Sequence, residues 1–253
     1  MANIDINCDM GEAFGNYAMP NDALLFKYIS SANIACGFHA GDASVMYDTV
    51  ALAIQHNVAI GAHPGLQDLQ SFGRRETKIS PKEAYQITLY QIGALSAFVT
   101  AAHTKLHHVK PHGALYNMAA RDIHLAQAIA DAIYDVDPTL ILYGLAGSEL
   151  INAAYNKGLR SASEVFADRT YQDDGSLTTR AQTNALITNE KDALAQVLLM
   201  VNQQQVISVN QNNISLTADT LCIHGDGAHA VEFAKTIHQT LTNDGVTIKS
   251  ISN

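Results

Sequence analysis

The chain has 253 residues, of which 47% are hydrophobic and 15% charged, with a formal net charge of −9. That balance excludes intrinsic disorder, and the lack of any Lys/Arg cluster argues against nucleic acid or an anionic membrane as partner. No apolar run approaches the ~18 residues of a membrane span, and the N-terminus lacks the basic and apolar regions of a secretory signal. Cys8, Cys36 and Cys222 each lie in or beside an apolar run, so they read as reduced core thiols of a cytoplasmic protein.

In chain order, short apolar runs alternate with helical patterns. A strand is expected at Ile4–Cys8, then Leu24, Leu25, Tyr28 and Ile29 recur at helical spacing. A strand at Asn33–Cys36 precedes a helix carrying Val50, Ala51, Ala53 and Ile54, and Val58–Gly61 forms the third strand. "SPKEAYQITLYQ" starts a helix with Ser80 as N-cap, Pro81 at the first helical position and Glu83 closing a capping box. Strands at Leu106–Lys110, Leu140–Leu142 and Ser161–Val165 alternate with helices at Ile123–Tyr134, Ser148–Asn156 and Lys191–Asn202. "VISVNQNNISLTA" alternates around Asn212-Asn213 and predicts an inserted β-hairpin near residues 205–217. Leu221–His224 is the seventh strand, followed by a helix at Ala228–Thr242 and a short strand at Thr247–Ile251.

Seven β→α units without a linker predict one α/β domain over residues 1–253 with a mostly parallel sheet. Periodicity does not separate an open doubly wound sheet from a closed barrel. In either, ligands bind at the carboxyl ends of the strands, so the residues following each strand are the ones to inspect. They are Asp9 and Glu12; His39 and Asp42; His63 and Asp68; Lys110, His112, Tyr116 and Asn117; Glu164, Asp168, Arg169 and Tyr171; and His224 with Asp226. Only the fifth strand, "LILYGLAGS", ends without a charge. The opposite ends carry ordinary turns such as "HNV", "NKG" and "NDG". This asymmetry points to a catalytic face.

Each tip residue also has a plainer reading. Asp42 and Asp226 could cap helices, Asp9 and Glu12 could favour a helix N-terminus, and His63-Pro64-Gly65 could be a tight turn. Lys110 resists such a reading, because a lysine closing a buried strand needs a partner. His103, His107 and His108 flank a strand start on the wrong side and read as surface residues. Gly73-Arg74-Arg75 lies in a long loop and reads as solvated or salt-bridged unless that loop folds over the site. There is no P-loop, no dinucleotide-binding glycine fingerprint, no H-E-x-x-H and no C-x-x-C pair.

The segments "NCDMGEAFGNY", "SANIACGFHAGD", "GAHPGLQDLQSFGRR", "VKPHGALYN", "EVFADRTYQDDGSL" and "CIHGDGAH" together resemble the LamB/YcsF family, the A component of ATP-dependent 5-oxoprolinase, over nearly the whole chain. One departure is Ala13, where the family usually has glycine. The resemblance implies an irregular (β/α) barrel of about seven parallel strands, similar to the glycoside hydrolase/deacetylase superfamily. It implies opening of the 5-oxoproline lactam to L-glutamate, coupled to hydrolysis of ATP with Mg²⁺, alongside subunits B and C. By motif it implies Asp9, Glu12, His39, His63, Lys110 and His112 as catalytic residues. Asp42, Asp168, Arg169, His224 and Asp226 are implied for substrate or phosphate binding. Within that set, Lys110 and Arg169 suit charge stabilisation, Asp9 with His39 or His63 suits water activation, and His112 suits donation to the departing nitrogen. Two other readings remain. One is a metal-dependent deacetylase using Asp9, His39 and His63; the other is a non-catalytic lactam-binding protein whose partners carry the chemistry.

Overall fold

A computed structural model describes residues 2–225 and 229–252. Seven parallel strands close into a barrel: β1 (Asn3–Met10), β2 (Ser31–Ala35), β3 (Ala59–His63), β4 (His108–Val109), β5 (Ile141–Leu145), β6 (Arg160–Phe166) and β9 (Thr220–Ile223). The ring closes where β9 pairs with β6 on one side and with β1 on the other, with Asp5 opposite Thr220 and Cys8 opposite Ile223. The barrel alternative is therefore the one realised. The expected hairpin exists outside it as β7 (Gln205–Ile207) and β8 (Asn213–Ser215), antiparallel. Its turn lies earlier than expected: Ser208 N donates to Asn212 O, Gln211 takes the positive φ, and Asn213 already belongs to β8.

The helices lie between the strands: α1 (Asp22–Leu25), α2 (Ala43–Gln55), α3 (Pro81–Ala101), α4 (Gly113–Ala119), α5 (Ile123–Val136), α6 (Glu149–Lys157), α7 (Glu190–Gln203) and α8 (Ala230–Asn243). The capping box forms as the sequence predicts: Ser80 Oγ accepts from Glu83 N, and the Glu83 carboxylate accepts from Ser80 N. The helix expected around Leu24–Ile29 shrinks to the single turn of α1. No side chain caps its start, and the chain turns at Tyr28 to feed β2, with Ser30 N bonding Ile6 O.

Strand alternation divides the wall into two faces. Ile4, Ile6, Cys8 and Met10 of β1 join the apolar core beneath the helices. The intervening Asp5, Asn7 and Asp9 point to the barrel axis, where Asp5 and Asn7 bond Thr220 of the adjacent β9 and Asp9 bonds Lys110 at the end of β4. The expected final strand is only two residues long, β10 (Thr247–Ile248), pairing with the start of β1. The chain then crosses the lower end of the barrel, where Ile251 packs on Ile141, Tyr143 and Ala162. His107 Nε2 bonds Ile251 O there at 2.8 Å.

His103 is exposed, as its position suggests, but His108 is not a surface residue. It is fully buried on the axial face, stacked on Tyr143 with centroids 4.1 Å apart, and its Nε2 bonds Asn33 Oδ1 at 2.8 Å. Room for its ring comes from Gly61, where a Cβ would stand 2.1 Å from Nε2.

Candidate active site

The carboxyl ends of the strands converge at one mouth. The turn "HAGD" after β2 is built from small residues because the chain doubles back tightly. Gly37 N bonds Ala40 O, and Gly41 has φ +81 with a Cβ position only 2.9 Å from Ala35 O. This swings His39 inward. Asp42 stays outside, as the N-cap of α2: its carboxylate accepts from Val45 N and from Gly15 N, both at 3.0 Å. The cap reading therefore accounts for Asp42, which does not reach the mouth cluster.

Inside the mouth, carboxylates and imidazoles interlock. His39 Nε2 lies 3.2 Å from Glu12 Oε1, and His63 Nε2 lies 3.2 Å from Asp9 Oδ2. His112 Nδ1 stands 3.5 Å from Glu12 Oε1 and 2.8 Å from His63 Nε2. The His39 and His112 rings stack face to face, centroids 3.7 Å apart and planes within 3°. Gly65 and Gly73 admit this arrangement; a Cβ at Gly73 would meet His39 Cβ at 2.7 Å. Burial first, and neighbouring imidazoles second, hold His39 and His112 well below the usual imidazole range. The donor atoms of Glu12, His39, His63 and His112 all lie within 4.8 Å of one another. Of the metal trio expected from the sequence, His39 and His63 belong to this set together with Glu12 and His112, whereas Asp9 joins it through His63 Nε2, at 3.2 Å.

Lys110 closes β4 as a buried cation, 3% exposed. Its Nζ donates to Asp9 Oδ1 at 2.9 Å, Asn7 Oδ1 at 3.2 Å and Cys222 Sγ at 3.2 Å, and it pairs with Glu164 Oε1 at 2.9 Å. Burial opposes the charge, but Asp9, Cys222 and Glu164 outweigh it and raise the ammonium well above the usual lysine range. Burial also opposes charge on Asp9, and there His63 and Lys110 prevail, holding the carboxyl well below its ordinary value. Cys222 is thus a partner of this ammonium as well as a core thiol.

Above the cluster opens a cavity of about 620 Å³, with Asp9, His63, Lys110 and His112 at its floor and Arg74, Arg121 and Arg180 around its sides. Arg74 arrives on the Gly73-Arg74-Arg75 loop, which does fold over the site, whereas Arg75 pairs with Asp68 at 3.2 Å. Asp168 lies at the rim, where its carboxylate binds His224 Nδ1 at 2.8 Å while His224 Nε2 faces Arg180 Nη2 at 3.1 Å. Burial raises the Asp168 carboxyl, but His224 more than reverses this and leaves it lowered. Arg169 borders the cavity yet spends its guanidinium on loop carbonyls, Thr178 O at 2.6 Å and Ala185 O at 3.3 Å. Burial and Arg180 depress it to about 10. It organises the loop over residues 168–186, which the β7–β8 hairpin buttresses through Val209 N to Tyr171 O. Asp226 lies outside the described residues.

The site also holds residues outside the set that the resemblance implies: Glu164, which the strand-end pattern does single out, and Arg74, Arg121 and Arg180. Glu164 pairs with Lys110 and accepts from Tyr116 OH at 2.6 Å; its signal was an acid inside an otherwise apolar strand. Arg74 and Arg180 sit on long loops, where sequence carries no positional information.

A family model described as "LamB/YcsF family" matches residues 4–253. The chain is 59% identical to a protein from Tolumonas auensis named as the A component of 5-oxoprolinase, over 251 residues that cover 99% of this chain and 100% of the relative. It superposes on the crystal structure of a lactam utilization protein from Thermus thermophilus with TM-score 0.93 and 43% identity, covering 98% and 100% of the two chains. A family 4 carbohydrate esterase from Streptomyces lividans superposes at TM-score 0.51 and 10% identity, covering 99% of this chain and 93% of that one, which is a likeness of fold alone.

Proposed function

The chain belongs to the LamB/YcsF family, and on that premise we propose that it acts as the A component of an ATP-dependent 5-oxoprolinase, opening the 5-oxoproline lactam to L-glutamate together with subunits B and C. A five-membered lactam is a resonance-stabilised amide that water attacks poorly. Phosphoryl transfer from ATP to the amide oxygen, releasing ADP, would remove the amide resonance and expose the carbon to water; protonation of the ring nitrogen then lets the C–N bond break, and a second water hydrolyses the acyl phosphate to L-glutamate and phosphate. Such a site needs cations for anionic oxygens and carboxylates or imidazoles for water.

The cavity suits that division of labour. Its floor carries Asp9, His63 and His112, which position water next to the scissile carbon. Its sides carry Arg74 and Arg180, whose guanidiniums match the carboxylate of the lactam or the phosphates of Mg²⁺-ATP, and Arg121, which is paired with Glu76. The charge-stabilising role expected of Lys110 and Arg169 is reassigned accordingly. Lys110 is enclosed by Asp9, Asn7, Glu164 and Cys222 and fixes the orientation of Asp9, and Arg169 is committed to loop carbonyls. The observation that carries the reading is the meeting of an acid, two imidazoles and a buried ammonium from the ends of three strands, β1, β3 and β4, at the floor of one cavity.

The test is 5-oxoproline-dependent phosphate release, measured with this chain alone and then with subunits B and C added. Turnover should appear in the full complex, and Asp9→Asn should lower it by roughly a hundredfold or more. Undiminished turnover with Asp9→Asn would leave this chain a lactam-binding protein without chemistry of its own.

A further inference from the structure

Two imidazoles at the mouth are held in fixed tautomers by groups that can only accept. His63 Nδ1 lies 2.7 Å from Lys110 O, and His112 Nε2 lies 2.8 Å from Phe72 O. A carbonyl offers no proton, so each of these nitrogens carries its ring's hydrogen. With both rings neutral, the remaining nitrogens, His63 Nε2 and His112 Nδ1, present lone pairs to one another at 2.8 Å. Asp9 Oδ2 stands 3.2 Å from the first of them, and Glu12 Oε1 stands 3.5 Å from the second. Four electron-rich atoms meet in a buried pocket, and that arrangement calls for a cation among them.

We propose that Asp9, Glu12, His63 and His112 bind one divalent transition-metal ion at the floor of the cavity. Ligand atoms around a tetrahedral ion, at bonds of about 2.1 Å, stand about 3.4 Å apart. The separations around His63 and between His112 and Glu12, four of the six, are 2.8, 3.2, 4.0 and 3.5 Å and straddle that value. Backbone carbonyls on the outer ring nitrogens are the usual support of metal-binding histidines. Two nitrogens with two carboxylate oxygens suit Zn²⁺ and its neighbours better than Mg²⁺.

His39 is not one of the ligands, despite its proximity. An imidazole binds a metal in the plane of its ring, and His39 lies parallel to His112 at 3.7 Å, so the two rings cannot aim at one ion. His39 instead donates from Nε2 to Glu12 Oε1 and holds that carboxylate in place. Lys110 does the same for Asp9, taking Oδ1 and leaving Oδ2 toward His63.

The experiment uses the full chain without substrate or partner subunits, so its outcome is independent of the lactam assignment. After chelator treatment, Zn²⁺ alone is titrated calorimetrically, and Co²⁺ alone is followed by its visible absorption. One ion per chain is expected. His63→Gln and His112→Gln should each weaken uptake by more than roughly a hundredfold, and His39→Gln by roughly ten- to a hundredfold, as befits a supporting residue. Circular dichroism checks that each variant folds. If the variants fail to fold, the wild-type stoichiometry and Co²⁺ spectrum decide alone. Absence of stoichiometric uptake by the wild-type chain overturns the proposal and leaves a proton shared between His63 and His112 as the counter-charge. Uptake that survives both His63→Gln and His112→Gln also overturns it, and a loss with His39→Gln equal to that with His112→Gln overturns the ligand assignment.

Discussion

Along β1, Ile4, Ile6, Cys8 and Met10 face the helices in a continuous apolar layer, whereas Asp5, Asn7 and Asp9 face the barrel axis, the first two bonding Thr220 of the neighbouring β9 and the third reaching Lys110 at the end of β4. The axial face continues this way upward. Thr220 bridges Asp5 and Asn7, Asn33 bridges Asn7 and Asp9, and Lys110 joins Asn7, Asp9 and Glu164. Parallel barrels usually fill this space with branched apolar side chains. Here the outer layer supplies the hydrophobic stabilisation, and the inner column trades some of it for a rigid polar support beneath the cavity. A buried polar column tolerates no missing partner, because each orphaned group bears its full desolvation cost.

That contrast can be broken most severely at Lys110. Lys110→Met leaves the half-buried Asp9 and the fully buried Glu164 without their shared cation, and a loss of about 3 kcal/mol is expected in urea unfolding. A loss below about 1 kcal/mol would mean that the column is more hydrated than the structure indicates. Gly61→Ala is the next test: the added methyl meets the His108 ring, which Asn33 and Tyr143 hold in place, so a cost of roughly 1–3 kcal/mol should follow.

A pH effect sharpens the same comparison. Burial, then His107 and Lys110, keep the His108 ring well below the usual imidazole range, so it stays neutral in the fold. Unfolding frees it to take a proton below about pH 6.5. Stability should therefore fall as pH drops below that value, by up to about 1.4 kcal/mol per pH unit from this residue alone. His108→Gln should flatten the slope between about pH 7 and about pH 5, as read from urea midpoints; an unchanged slope would show that His108 is already protonated in the fold. On the exposed side, Ser80→Ala removes one cap of α3, and its cost should be only about 1 kcal/mol in the same assay.

Much of this was legible in the chain itself. Strand–helix alternation, the Ser80 capping box and the charged carboxyl ends follow from local pattern, which reports periodicity and turn chemistry directly. What failed was placement. His108 looked like a surface residue because it lies at the start of its strand, away from the charged tips, but the space beside Gly61 admits its ring on the axial face. Arg169 and Asp42 carried charges suited to a ligand, yet loop carbonyls and a helix N-terminus claimed them. Glu164 and Arg180 lie far in sequence from the residues they join.

The sequence by itself determined that the chain alternates strand and helix and that its reactive side chains follow the strands, since both depend on neighbours within a few positions. Closure of the ring between β1 and β9, the stacking of His39 on His112, and the meeting of His63 with His112 were decided only in three dimensions. Each depends on distances between segments tens to hundreds of residues apart, and those distances are set by how the helices pack around the barrel, which no local pattern encodes.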